Sequence, residues 1–302
     1  MTEKIRLFIQ LSRLPFVIGV AIVYTLGAGI AHYLGSNIDW GVYLIGQMWI
    51  TLLQLSTQYF NEYFNYLADQ VNPNRTFLTG GSGALGPGKL SRSTALISGL
   101  TCLAFLASLT VILVNRVNPP LEVYLIMGIA FLGAFFYSVP PVRLESSGYG
   151  ELTTSVIVGI LVPALAFLLQ GKELNRLLAM TSFPLVAMHL AMFLALEMPD
   201  YATDQKFKKN TFTVRVGWQT AMTIHNVMIL TAFLLLVLAR SFGYPWFAMV
   251  AGLLPLPLGI FQIFQMRSIG NGAKPNWKAL TIGSVALFVL MAYLLALAFW
   301  TN

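Results

Sequence analysis

The chain has 302 residues, of which 57% are hydrophobic and only 10% charged. Soluble domains carry about 25% charged residues, so this composition excludes a soluble globular protein and describes a multi-pass integral membrane protein. The net charge of +7 excludes nucleic-acid binding as its cause, because the basic residues are spread between apolar segments in the pattern that orients membrane helices.

Runs of about 20 apolar residues, the length that crosses a bilayer as a helix, recur nine times. They predict an all-α membrane protein, a single domain over residues 1–302 with nine transmembrane helices in one bundle. The first run, 14–34, is too long for a signal peptide and lacks a small-residue cleavage site, so it is read as a helix that is kept. The second, 41–60, carries Gln47, Thr51, Gln54 and Gln58 on one face. Lipid offers no hydrogen bonds, so this stripe faces a cavity or a neighbouring helix. Immediately after it comes Asn61-Glu62-Tyr63-Phe64-Asn65-Tyr66-Leu67-Ala68-Asp69, in which Asn61, Asn65 and Asp69 recur at i, i+4 and i+8 of a helix with Glu62 beside them. Arg75 and the turn Gly80-Gly81-Ser82-Gly83 follow, and guanidinium forks and glycine N–H groups both suit phosphate oxygens.

The third run, 93–114, holds the single cysteine, Cys102, which has no partner for an internal disulfide and is read as a small core residue. The fourth and fifth runs, 121–139 and 152–170, are joined by a short connection. The sixth, 177–197, contains His189, read as a hydrogen-bonded core histidine, and leads into Glu197-Met198-Pro199-Asp200-Tyr201-Ala202-Thr203-Asp204. Glu197, Asp200 and Asp204 share a helical face, and Lys206, Lys208, Lys209 and Arg215 come next. Runs at 219–239, 244–266 and 278–300 complete the set.

With nine spans, alternate connections lie on opposite sides of the membrane. Fourteen of the 18 Lys and Arg residues then fall on one side, leaving Arg116, Lys172, Arg176 and Arg240 on the other. The positive-inside rule puts the N-terminus in the cytoplasm and the C-terminus outside. Both acidic clusters are therefore cytoplasmic. The long connections, about 61–92 and 198–218, each follow an even-numbered span, a weak pseudo-repeat of residues 1–140 and 141–302. The outer connections are minimal, which confines function to one face.

Like charges as close as Glu197, Asp200 and Asp204 repel, so a positive group is expected among them. Mg²⁺ suits them because it is bound by one or two carboxylates together with phosphates and water. A salt-bridge network with Lys206, Lys208 and Lys209 is the alternative.

These motifs resemble those of the UbiA superfamily of intramembrane prenyltransferases. Asn61-Glu62-x-x-Asn65-x-x-x-Asp69 looks like the Asn-Asp-x-x-Asp-x-x-x-Asp pattern that follows the family's second helix, and Asp200-x-x-x-Asp204 matches the Asp-x-x-x-Asp pattern after its sixth. Tyr137-Ser138-Val139-Pro140-Pro141-Val142-Arg143-Leu144, with Gly148-Tyr149-Gly150-Glu151, is similar to the connection between helices four and five. The resemblance covers essentially the whole chain.

It implies Mg²⁺-dependent transfer of a prenyl group from a polyprenyl diphosphate to an aromatic acceptor, with two ions bridging the diphosphate. By the same resemblance Asn61, Glu62, Asn65 and Asp69 line one ion, and Asp200 and Asp204 the other. Glu62, Asp69, Asp200 and Asp204 would be catalytic. Arg13, Arg75, Arg143, Lys209, Gln54, Gln58 and Tyr137 would contact substrates, and the tail would run toward the lipid bilayer. Tyr63, Phe64, Tyr66, Tyr137 and Met192 are candidates to shield an allylic cation. Two positions depart from the pattern: Glu62 replaces Asp with a longer arm, and Asn65 replaces Asp and loses a charge while keeping a carbonyl oxygen.

Within the family, Asn-Glu-Tyr-Phe, Gly-Gly-Ser-Gly and Glu-x-Pro-Asp-Tyr look most like the 1,4-dihydroxy-2-naphthoate branch of menaquinone synthesis. Acceptors such as 4-hydroxybenzoate, homogentisate, a chlorophyllide or a glycerol lipid share the same metal chemistry. A secondary transporter is the alternative from another class, but a carrier places ionisable groups near the bilayer midplane, whereas these gather at one end.

Overall fold

The computed structural model describes residues 2–171 and 173–302; Lys172, one of the four outer-side cations, lies outside the described residues. Among them all regular structure is helical. Helix α1 (Thr2–Leu11) is followed by α2 (Leu14–Tyr33), α3 (Trp40–Phe64), the short α4 (Tyr66–Gln70), α5 (Arg92–Val117) and α6 (Leu121–Ser138). A 3₁₀ turn, Leu144–Ser146, precedes α7 (Gly150–Val156), which continues through a π turn, Ile157–Leu161, into α8 (Val162–Leu169). Next come α9 (Arg176–Glu197), a 3₁₀ turn (Met198–Asp200), α10 (Tyr201–Lys206), α11 (Phe212–Val216) and α12 (Trp218–Ser241). Last are α13 (Trp246–Leu253), α14 (Leu256–Gly270) and α15 (Trp277–Thr301).

Among the described residues, eight helical segments are long and apolar enough to cross a membrane. Helix α3 matches them in length at 25 residues but is diluted by its glutamines and threonines. Three segments depart from uninterrupted helices, each at a proline, one of them at Pro199 in the 3₁₀ turn Met198–Asp200. The ring nitrogen of Pro163 cannot donate back to the carbonyl four residues earlier, and the ladder there loosens into the π turn. Pro255 separates α13 from α14.

Helices α2 and α9 form the middle of the bundle, α2 packing on α15 and α8, and α9 on α12 and α15. They approach closely where side chains are small. At Gly27 an added Cβ would strike the Pro163 backbone, so this crossing admits only glycine. Outward faces carry exposed residues such as Phe105, Ile129, Leu234 and Phe264, an apolar surface suited to lipid and not to water.

Candidate active site

A cavity is lined mainly by α2, α3, α6, the Ile157–Leu161 turn, α9 and α15. Its inner wall is apolar, with Phe16, Val20, Ile50, Leu53, Met192 and Phe288. Arg13, Asp69, Asp200, Asp204 and Lys209 line the same cavity, together with Glu145 and Glu197. Four stretches far apart in sequence, around Arg13, Asp69, Glu145 and 197–209, thus place carboxylates and cations at one apolar chamber.

Ten of the thirteen site residues expected from sequence line it: Arg13, Gln54, Gln58, Asn61, Asn65, Asp69, Tyr137, Asp200, Asp204 and Lys209. Glu62, Arg75 and Arg143 are not on its wall. Glu62 is instead a buried strut. Its Oε1 accepts from Arg13 Nε (3.0 Å), Arg13 Nη2 (2.5 Å) and the Ser82 amide (2.6 Å), and its Oε2 from Ser82 Oγ (2.7 Å). With both oxygens engaged, it ties the α1–α2 junction to the glycine turn. Arg75 braces that turn from behind, donating to the carbonyls of Gly80 and Asp69. Arg143 pairs with Glu145 at 3.3 Å.

The helix expected to run through Asn61, Asn65 and Asp69 breaks. Asn65 caps α3 and the chain restarts as α4, so the three share a cavity wall but not one continuous helix. The glycine turn also differs from expectation. Its Gly80 amide donates to Asp200 Oδ2 at 3.1 Å, and its Ser82 amide to Glu62. Those N–H groups serve the protein's own carboxylates and are not free for a phosphate. Gly81 is required where it stands: its φ is +80°, and a Cβ would meet the Asp69 side chain.

At the second cluster Asp200 is anchored by Asn72 Nδ2 (2.6 Å) and the Thr79 hydroxyl, joining the end of α9 to the 72–80 loop. Asp204 faces Lys209 Nζ at 3.6 Å. Lys206 and Lys208 are exposed, so the broader lysine network is not formed. Burial alone would lower the Lys209 ammonium's pKa, but Glu145, Asp204, Asp69 and Asp200 surround it and raise it. Burial, helped by Glu62, pushes the Asp69 carboxyl up to about 7 against the pull of Arg13 and Lys209.

Among the described residues no three His, Cys, Asp or Glu side chains converge into a metal cage. Mg²⁺ does not need one, since substrate phosphates complete its shell. The donor set fits that use: Asp69 accepts no hydrogen bond through its carboxylate from the described residues, and Asp204 has only Lys209.

Of the residues expected to shield the cation, Tyr137 and Met192 line the cavity, as do Phe193 and Phe288. Tyr63 lies outside it under the Arg92 guanidinium, 4.3 Å from its ring centre, and Tyr66 is beside it. Phe64 packs on Tyr63. His189 lines the cavity and is hydrogen-bonded to Ser155 at 3.0 Å. Gln58 is buried with neither end of its amide paired among the described residues.

One cavity acid escaped the sequence reading as a site member. Glu145 lines the wall and accepts from Asn61 Nδ2 (2.6 Å) and Asn65 Nδ2 (2.7 Å), while Glu151, off the wall, accepts from the Phe212 amide at 2.8 Å. The available signal was two acids in the connection between the fourth and fifth spans, on the side of the membrane already holding both clusters.

A search of curated protein sequences finds no match. Solved structures match over nearly the full length. A UbiA homologue from Archaeoglobus fulgidus bound to DMAPP and Mg²⁺ is 17% identical with a TM-score of 0.68, covering 97% of this chain and 99% of that one. A digeranylgeranylglyceryl phosphate synthase is 16% identical at 0.64, covering 99% and 98%. The apo UbiA homologue from Aeropyrum pernix K1 is 13% identical at 0.59, covering 94% and 96%. Residues 21–285 match the profile of the UbiA prenyltransferase family. The chain, with its carboxylates and cations gathered at one apolar chamber, therefore belongs to the UbiA prenyltransferase family.

Proposed function

We propose that this enzyme transfers a polyprenyl group from its diphosphate to a ring carbon of 1,4-dihydroxy-2-naphthoate, a step of menaquinone synthesis: the C–C bond forms as the C–O bond to diphosphate breaks, and the substituted ring carbon then loses its proton. The observation that carries this is the composition of one chamber, in which acids and cations share a cavity with an aliphatic and aromatic wall. That combination suits a substrate with a charged head and a hydrocarbon tail. The homologues crystallised with DMAPP or GPP and Mg²⁺ support the same donor class.

Arg13 and Lys209 bind the diphosphate. Asp69, Asp200 and Asp204, with the carbonyl oxygens of Asn61 and Asn65, are the groups that would hold Mg²⁺ here, two ions by the sequence reading. When bound, the metal would supply positive charge to the diphosphate and to the negative charge that grows as the group leaves. Tyr137, Met192, Phe193 and Phe288 exclude water from the allylic cation and face it with polarisable groups. Gln54 and Gln58 orient the acceptor's polar substituents. Arg75 and Arg143 act through the glycine turn and Glu145. We further propose that α3 is a ninth span, that the N-terminus and the site face the cytoplasm, and that the C-terminus lies outside, as the basic connections require.

The test is incubation of the purified protein with several prenyl diphosphates and a panel of acceptors, following diphosphate release and product mass. A prenylated naphthoate formed only with Mg²⁺ is expected. Product from a glycerol lipid or another phenol alone replaces the acceptor, and full turnover in excess chelator removes the metal. Uptake by sealed vesicles without diphosphate release makes the protein a carrier.

A further inference from the structure

Glu145 sits in the 3₁₀ turn after α6, 3% exposed, on the cavity wall. Its Oε2 accepts three hydrogen bonds: from Asn61 Nδ2, from Asn65 Nδ2 and, at 3.1 Å, from Ser138 Oγ. An oxygen with three donors around it is a carboxylate oxygen, and a carboxylate only accepts. An asparagine side chain presents an NH₂ on one edge of a planar amide and a carbonyl oxygen on the other. With both NH₂ groups drawn to Glu145, both carbonyl oxygens are turned away from it. Asn61 Oδ1 receives no hydrogen bond from the described residues. Asn65 Oδ1 receives only one at 3.5 Å from Arg143, whose side chain is 38% exposed and free to withdraw. Both asparagines line the cavity.

We propose that Glu145 is a positioning residue that aims the carbonyl oxygens of Asn61 and Asn65 into the cavity as ligands for a divalent cation. This rests on the Mg²⁺–diphosphate site proposed above. It also accounts for Asn65 where the family motif has a carboxylate. An acid at 65 would place a second carboxylate at the 2.7 Å separation now spanned by a hydrogen bond. Glu145 stands on the same wall, and Asn65, held by it, presents an oriented amide dipole in place of a charge. Lys209 lines the same cavity, with Glu145 among the acids around it.

Mn²⁺ is the probe, titrated into the full-length protein in detergent with geranyl diphosphate present and followed by the loss of the free-ion EPR signal, with thermal unfolding measured in parallel. Glu145→Met removes the acceptor at similar length and frees both amides to rotate. Its Mn²⁺ affinity is expected to fall about 10–100-fold, the usual effect of losing a group that orients a ligand. Glu145→Gln keeps a carbonyl acceptor and is expected to stay within about threefold of the parent, since the orienting hydrogen bonds survive. Asn65→Asp is expected to weaken Mn²⁺ binding, and it decides the matter if Glu145→Met does not fold. Unchanged affinity in Glu145→Met, an equal loss in Gln and Met, or tighter binding in Asn65→Asp overturns the positioning role while leaving the Mg²⁺ site in place. A parent protein that takes up no Mn²⁺ with geranyl diphosphate overturns the site itself and this inference with it.

Discussion

Glu62→Gln separates a structural carboxylate from a metal-binding one. Glu62 and Arg13 form a buried pair, their side chains 3% and 13% exposed. The substitution keeps shape and most hydrogen-bonding capacity but removes the charge, leaving the Arg13 guanidinium without its counter-ion. Breaking a buried pair from one side costs about 3–5 kcal/mol. An independent count agrees. Three of the four hydrogen bonds fall on Oε1, two from a guanidinium and one from a backbone amide. Bonds to charged groups contribute about 1.5–3 kcal/mol each, and neutral ones about half as much, so three of them lose about 2–5 kcal/mol together. Cys102 is the chain's one cysteine and is buried in α5. A fluorogenic thiol dye in detergent therefore reports unfolding without any added label. The variant should unfold several degrees below the parent, while its Mg²⁺ half-saturation, measured where it is still folded, stays close to the parent's. An unchanged unfolding temperature with a raised Mg²⁺ requirement would refute the strut and return Glu62 to the metal shell.

Asp204→Ala removes a cavity carboxylate whose one protein partner is Lys209, so turnover should fall about a hundredfold or more with the unfolding temperature nearly kept. Rates near the parent's place Asp204 outside the chemistry. The Asp69 carboxyl holds a proton below about 7, and a cation must displace it. Mg²⁺ affinity should therefore rise about tenfold per pH unit up to that point and level off above it. Titrations at pH 6, 7 and 8 that superimpose contradict this. Gly81→Ala forces a side chain into a left-handed backbone at about 1–2 kcal/mol and pushes on Asp69, so the Mg²⁺ requirement should rise. A parent-like Mg²⁺ curve means that Asp69 does not depend on the turn.

Much of the site can be read along the chain because its parts are local patterns. Asp200-x-x-x-Asp204, the paired basic loops and the polar stripe ending in Gln54 and Gln58 each lie within a few residues, and ten of thirteen named residues reach the cavity. The departures share a cause. Glu62 suits a metal ion, and Arg75 and the glycine turn suit a phosphate, by their chemistry alone, but the chain folds donors and acceptors against one another first. Asn65 looked like a lost charge because its partner, Glu145, is 80 positions away.

Hydrophobic length and charge asymmetry by themselves determined that this is a helical membrane protein with two acid-bearing connections, since burial in lipid acts on each segment separately. Tertiary structure alone decided which acids face the chamber and which are bound as struts. A carboxylate's availability depends on the donors that packing brings to it, and those come from helices distant in sequence.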